Sequence, residues 1–143
     1  MKKFKKDSAF YVLCGITTLI CGLFVYLIFR PNTYVTKFIF GIIPLEPAMT
    51  VKPEWLKYYA GDFLWAFSLS CFIYAIYLPN IKRGLGCSGI VAFVGLSYEL
   101  MQYFKVVPGT GDIVDVLFYL LAAIAVNIIN YLRRKKDDKQ KNY

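Results

Sequence analysis

The feature that most constrains this chain is a series of apolar runs, each close to the length needed to cross a bilayer. A hydrocarbon core about 30 Å thick takes roughly 20 residues of helix. Residues 9–29 supply one such run, and 62–78, 85–104 and 113–132 supply three more. Of the 143 residues, 58% are hydrophobic and only 18% charged, which is more apolar surface than a soluble domain of this size can bury. The predicted architecture is therefore all-α: a polytopic membrane protein folded as a four-helix transmembrane bundle. It is expected to form one domain over residues 9–132, between a basic leader at 1–8 and a basic tail at 133–143 that is expected to be disordered.

Net charge is +8, yet the basic residues do not form a face interleaved with aromatics, so no nucleic-acid partner is expected. They gather instead at the ends of apolar runs. The leader (Lys2, Lys3, Lys5, Lys6), the second connection (Lys82, Arg83) and the tail (Arg133, Arg134, Lys135, Lys136, Lys139, Lys141) hold twelve of the 17. The positive-inside rule then puts both termini in the cytoplasm, with the connections 30–61 and 105–111 facing outward across a cell membrane.

The first run resembles a secretory signal in position only. It is too long, and the segment Arg30-Pro31-Asn32-Thr33-Tyr34 lacks the small-residue cleavage pattern, so the run reads as an anchor that is retained. The connection that follows carries Pro31, Pro44, Pro47 and Pro53, which forbid one continuous helix. Within it, residues 34–43 are apolar but too short to span, and suit an outer interfacial or re-entrant segment. Trp55, Tyr58 and Tyr59 then form an aromatic belt at the entry to the second span.

Cys14, Cys21, Cys71 and Cys87 all lie in or beside apolar runs and none forms a CxxC pair, so they read as small packing residues. Histidine is absent, which removes imidazole as base, ligand or triad member. No cofactor and no metal are expected.

The proposed topology gathers the remaining acids at one level. Asp62 opens the second span, Glu99 and Gln102 close the third, and Asp112 and Asp115 open the fourth. Residues three and four apart share a helix face, so Ser88, Ala92, Gly95, Glu99 and Gln102 form one stripe and Asp112, Asp115, Tyr119, Ala122 and Val126 another. A short turn at 105–111 makes those two helices antiparallel neighbours, with the polar ends of both stripes together. A carboxylate at the membrane centre costs roughly 2.5 to 3.5 kcal/mol on insertion scales, and somewhat less near the interface. Such residues need a reason to be there. For Asp62 and Asp112, helix capping is a sufficient structural reason; for the pair Asp115 and Glu99, an interhelical hydrogen bond between Gln102 and a protonated acid is the structural alternative to a ligand. Asn127 and Asn130, near the inner end of the fourth span, read as interfacial hydrogen-bonding residues.

The stretches Tyr98-Glu99-Leu100-Met101-Gln102 and Pro108-Gly109-Thr110-Gly111-Asp112-Ile113-Val114-Asp115 resemble the VanZ-like membrane family. That family typically carries a Glu followed three residues later by Gln, then a Pro-Gly turn and a pair of aspartates opening the next span. Asp62 falls where the family often has an Asp ahead of its second span. The likeness is best over the second half of the chain. Many members carry an Arg in the turn, a Lys and a His after the first Asp, and an Asn and a Gly in the last helix; Thr110 or Gly111, Phe63 onward, Tyr119 and Ala122 stand there instead. The resemblance implies a bacterial cell-envelope role and a link to resistance against the glycopeptide teicoplanin.

Three functions follow as expectations. Asp62, Glu99, Gln102, Asp112 and Asp115 form an outward-facing ligand-binding pocket for a polar or cationic group, with an envelope lipid or a cell-wall precursor as its source. Alternatively, the chain is a membrane accessory subunit or transporter component that pairs with a partner protein or with itself. The third expectation is an outer-leaflet enzyme with Glu99 as acid or base and a divalent ion on the aspartates.

Overall fold

In the computed structural model, residues 2–29, 54–77 and 81–141 are described, with side chains over 7–29, 58–77 and 86–136. They form four α-helices and, among the described residues, no strand: α1 (Lys2–Phe29), α2 (Glu54–Tyr77), α3 (Ile81–Tyr103) and α4 (Ile113–Lys141). Among the described residues, three stretches are long and apolar enough to cross a membrane: Asp7–Phe29 in α1, Tyr58–Tyr77 in α2 and Ile113–Lys136 in α4. Over residues 86–103, where its side chains are described, α3 carries Ser88, Ser97, Glu99 and Gln102, and this part of the helix is not in that set. The expected segment at 34–43 lies outside the described residues.

The helices run past the expected spans. Nothing between Pro53 and Pro79 interrupts a helix, so α2 begins a full two turns ahead of Asp62 and incorporates the aromatic belt. At the other end α4 continues through Lys141 where a disordered tail was expected. Its last residues are Arg, Lys, Asp and Gln, mostly good helix formers without Gly or Pro, and the helix above them is already nucleated.

Contacts fix the helix directions. Ser8 donates to the Ala75 carbonyl at 2.8 Å, Ser68 donates to the Gly15 carbonyl at 2.8 Å, and the hydroxyl of Tyr26 reaches Asp62, so α1 and α2 are antiparallel. Two glycines of α1 let the helices approach: a side-chain carbon on Gly15 would stand 2.9 Å from the Phe72 ring, and one on Gly22 would touch Leu64 and Trp65. The α3 and α4 helices are antiparallel as well, with Gly95 against Tyr119 near one end and Ser88 bonded to Asn127 near the other. Helices α2 and α4 pack side by side and run the same way, placing Tyr59 near Phe118 and Tyr74 near Asn127. Thus α2 and α4 form the centre, with α1 flanking α2 and α3 flanking α4. Tyr11, Ala66, Cys71, Tyr74, Val91, Ala122, Ala123 and Val126 are the buried core, while Leu13, Phe24, Phe93, Leu117 and Leu121 point outward. The core is apolar apart from Ser68, Ser70, Glu99 and Asn130, and it is the many large apolar side chains on the exterior that set this bundle apart from a soluble one.

Candidate functional site

The turn between α3 and α4 builds one side of the site. Helix α3 ends in a Schellman motif: the Lys105 amide donates to the Gln102 carbonyl at 3.0 Å and the Val106 amide to the Met101 carbonyl at 2.8 Å. Lys105 itself occupies the left-handed region at φ 59°. The chain then folds back tightly. A side-chain carbon on Gly111 would lie 2.7 Å from the Glu99 carbonyl oxygen and 3.0 Å from Tyr103 atoms, so only glycine permits the approach. Gly109, at φ 141°, has the amide of Gln102 lying against it.

That return brings Asp112 onto Glu99. The Asp112 backbone N–H donates to Glu99 Oε2 at 2.9 Å, and the Tyr119 hydroxyl donates to Oε1 at 3.1 Å. Glu99 is 6% exposed and has a donor on each oxygen, as a buried carboxylate requires. Tyr119 reaches it because Gly95, one turn below Glu99 on α3, leaves room for the tyrosine ring. Asp112 is the N-cap of α4: its Oδ1 accepts from the Val114 N–H at 2.9 Å and its carbonyl accepts from the Asp115 N–H at 3.2 Å. Its Oδ2 faces the Tyr59 hydroxyl of α2 at 3.5 Å, and the Tyr59 ring stacks on Phe118 with centroids 4.9 Å apart.

Asp62 differs from expectation in its local role. It stands in the third turn of α2, where the backbone amides are already bonded, so it cannot cap that helix. Its Oδ1 accepts from the Tyr26 hydroxyl of α1 at 3.1 Å, and the same ring lies against Gly61. The Tyr59–Asp112 contact sets this end of α2 beside the start of α4, with Asp62 about one turn along α2 from Tyr59 and Asp115 about one turn along α4 from Asp112. The four acids therefore share one level, separated by tyrosines. Gln102 stands at the edge of this level against Gly109, and the hydrogen-bond partners of Glu99 are Tyr119 and the Asp112 amide. Among the described residues, no three of His, Cys, Asp and Glu are grouped so that they could hold a metal ion.

No family model matches the chain, and no curated protein or solved structure does either.

Tyr26, Tyr59 and Tyr119 are the members that sequence reasoning did not place in the site. With twelve tyrosines in the chain, residue type carried no signal. Spacing carried some: Tyr119 is four residues after Asp115 and shares its helix face.

A second polar layer closes the opposite end of the bundle. Asn127 accepts from the Tyr74 hydroxyl and donates to Ser88 Oγ and, at 3.0 Å, to the Ala123 carbonyl, joining α2, α3 and α4. Asn130 accepts from the Tyr11 hydroxyl at 3.2 Å and from Arg134 Nε at 3.3 Å. Both asparagines thus have the interfacial hydrogen-bonding role their positions suggest.

Proposed function

We propose that this chain is a VanZ-like cell-membrane protein that crosses the bilayer four times with both termini in the cytoplasm. Its outward layer of Asp62, Glu99, Gln102, Asp112 and Asp115 engages a polar or cationic group carried by an envelope lipid or a cell-wall precursor. The observation that supports this reading is the tyrosine-spaced acid layer itself. Acids from three helices meet at one end of the bundle, and only Glu99 among them is fully buried. Glu99 has a donor on each oxygen, Asp112 caps α4 through one oxygen and Asp62 accepts from Tyr26, yet these donors are neutral, so the layer keeps a concentration of negative charge that attracts a cationic group.

The purified protein in a neutral maltoside detergent tests this with two single-chain probes, dodecylammonium and dodecanol, which differ in the cationic head. Dodecylammonium is expected to raise the unfolding temperature more than dodecanol, and the difference is expected to vanish in Asp62→Asn/Asp115→Asn. Equal responses of wild type and variant would remove the proposal. The family resemblance extends it to glycopeptide tolerance. Expression in a susceptible bacterium should raise the teicoplanin concentration tolerated, and Glu99→Gln or Asp115→Asn should abolish that gain at equal membrane levels; unchanged tolerance on expression sinks the link.

One observation favours a second reading as a self-associating or accessory subunit. Among the described residues, nothing lies within 4 Å of a side-chain carbon on Gly86 or Gly89 of α3, and both lie beside exposed Ile90 and Phe93, a surface on which another helix can approach closely. Gly89→Cys should form a disulfide-linked dimer in oxidised membranes if a second copy occupies this face, and should stay monomeric if none does.

A further inference from the structure

The end of the bundle opposite the acid layer holds two arginines in fixed positions. Arg133 donates from Nη2 to Asp7 Oδ1 at 3.1 Å, and its guanidinium lies 3.7 Å above the Phe10 ring, which ties the inner end of α4 to α1. Arg134 is half-buried and donates from Nε to Asn130, which in turn is 4% exposed and bonded to Tyr11. Its position is therefore set by a buried network, while the bond to Asn130 uses Nε and not the two terminal nitrogens. Lys135 and Lys136 follow on the same helix and are exposed. Asp7 balances Arg133, and the Asp137 and Asp138 that follow are matched in number by Lys139 and Lys141, so a net positive charge equal to that of Arg134, Lys135 and Lys136 remains at this end of α4.

Their depth matches a headgroup. Twenty residues of helix separate Ile113 from Arg133, a rise of about 30 Å at 1.5 Å per residue, which is the thickness of the hydrocarbon core. With the Asp112 cap at one boundary, Arg134 reaches the other. A guanidinium held in one orientation presents a planar pair of donors that fits a phosphate diester, and neighbouring lysines add attraction for an anionic leaflet.

We infer that Arg134, Lys135 and Lys136 form a binding site for the phosphate of an anionic phospholipid at the cytoplasmic end of α4. The inference rests on the four-crossing orientation proposed above and is independent of any ligand at the acid layer. Each basic residue near a charged leaflet contributes about a five-fold gain in affinity, so removing all three should weaken binding by about a hundred-fold.

The test measures retention of phosphatidylglycerol against phosphatidylcholine by the full-length purified protein, using native mass spectrometry across a lipid titration. Wild type should retain phosphatidylglycerol preferentially, and Arg134→Gln/Lys135→Gln/Lys136→Gln should lose the preference. Lys105→Gln, at the opposite end of the bundle, should keep it. Lys135→Gln/Lys136→Gln, which changes only exposed side chains, should give an intermediate loss even if the triple variant folds poorly. An unchanged preference in both inner-end variants, or an equal loss in Lys105→Gln, would overturn the inference. So would displacement of the lipid by millimolar inorganic phosphate, which would make the site one for the free ion. Extraction of the chain from membranes by alkaline carbonate would count against the membrane reading itself; a carbonate-resistant chain with no lipid preference would count against this site alone.

Discussion

Gly95→Ala is the sharpest probe of how the acid layer is held. The added carbon would stand 2.1 Å from Tyr119 Cδ2 and 2.8 Å from Cε2. Carbon atoms rest about 3.5 to 4.0 Å apart, so the ring or the helix must move by about 1.5 Å. Tyr119 is 8% exposed and has little space to move into. A shift of that size also carries its hydroxyl beyond hydrogen-bonding range of Glu99, now at 3.1 Å. Overpacking costs typically 1–3 kcal/mol, and a lost bond to a buried carboxylate about as much again, whereas replacing Gly by Ala in a helix returns at most about 1 kcal/mol. The net expectation is a loss of about 1–5 kcal/mol. Gly89→Ala is the matched control, because no described residue lies within 4 Å of the new carbon and only the helix-propensity gain remains. The native cysteines provide the assay. Cys71 is 1% exposed and Cys87 4%, so in a Cys14→Ser/Cys21→Ser background a thiol-reactive fluorophore reports unfolding as these two become accessible. Gly95→Ala should unfold several degrees below Gly89→Ala. Equal midpoints for the two would refute the close approach of α3 and α4 and, with it, the account of how Tyr119 reaches Glu99.

Tyr119→Phe keeps the ring and removes one of two donors to Glu99, and should cost about 1–3 kcal/mol in the same thermal assay. Asp112→Ala should lose about 0.5–2 kcal/mol with the α4 cap, whereas Asp112→Asn should retain most of it, because an amide oxygen still accepts from Val114; equal losses would argue against capping. Lys105→Gly should hold or raise the unfolding temperature, since a left-handed residue other than glycine carries about 1–2 kcal/mol of strain. In a double-mutant cycle on Asp7 and Arg133, side chains that are 28% and 36% exposed, the coupling should stay at or below about 1 kcal/mol and weaken with added salt.

The helical architecture was legible because bilayer-length apolar runs and proline punctuation act locally. The turn at 105–111 was legible for the same reason, and the Glu99, Gln102, Asp112 and Asp115 level followed from two helices joined by so short a link. Helix ends were less legible: residues 54–61 and 133–141 lack the apolarity that marks a span, yet nothing in them stops a helix that packing has already formed. The Asp62 capping alternative failed on this point, since it depended on where α2 begins. The donors to the acids were hidden for a different reason. Which tyrosine reaches which carboxylate is decided by Gly95 and Gly61, whose missing side chains admit the Tyr119 and Tyr26 rings, and these are tertiary contacts with no one-dimensional pattern.

The most direct measurement is thiol labelling of intact cells with a membrane-impermeant reagent, in a cysteine-free chain carrying one new cysteine at Lys82, Thr110 or Lys136. The four-crossing account predicts that Thr110→Cys, in the exposed turn beside the acid layer, labels from outside, while Lys82→Cys and Lys136→Cys label only after the cells are opened. Joint labelling of positions 82 and 110 would show that α3 does not cross, and labelling of 136 with protection of 110 would place the acid layer in the cytoplasm; either result would contradict the account.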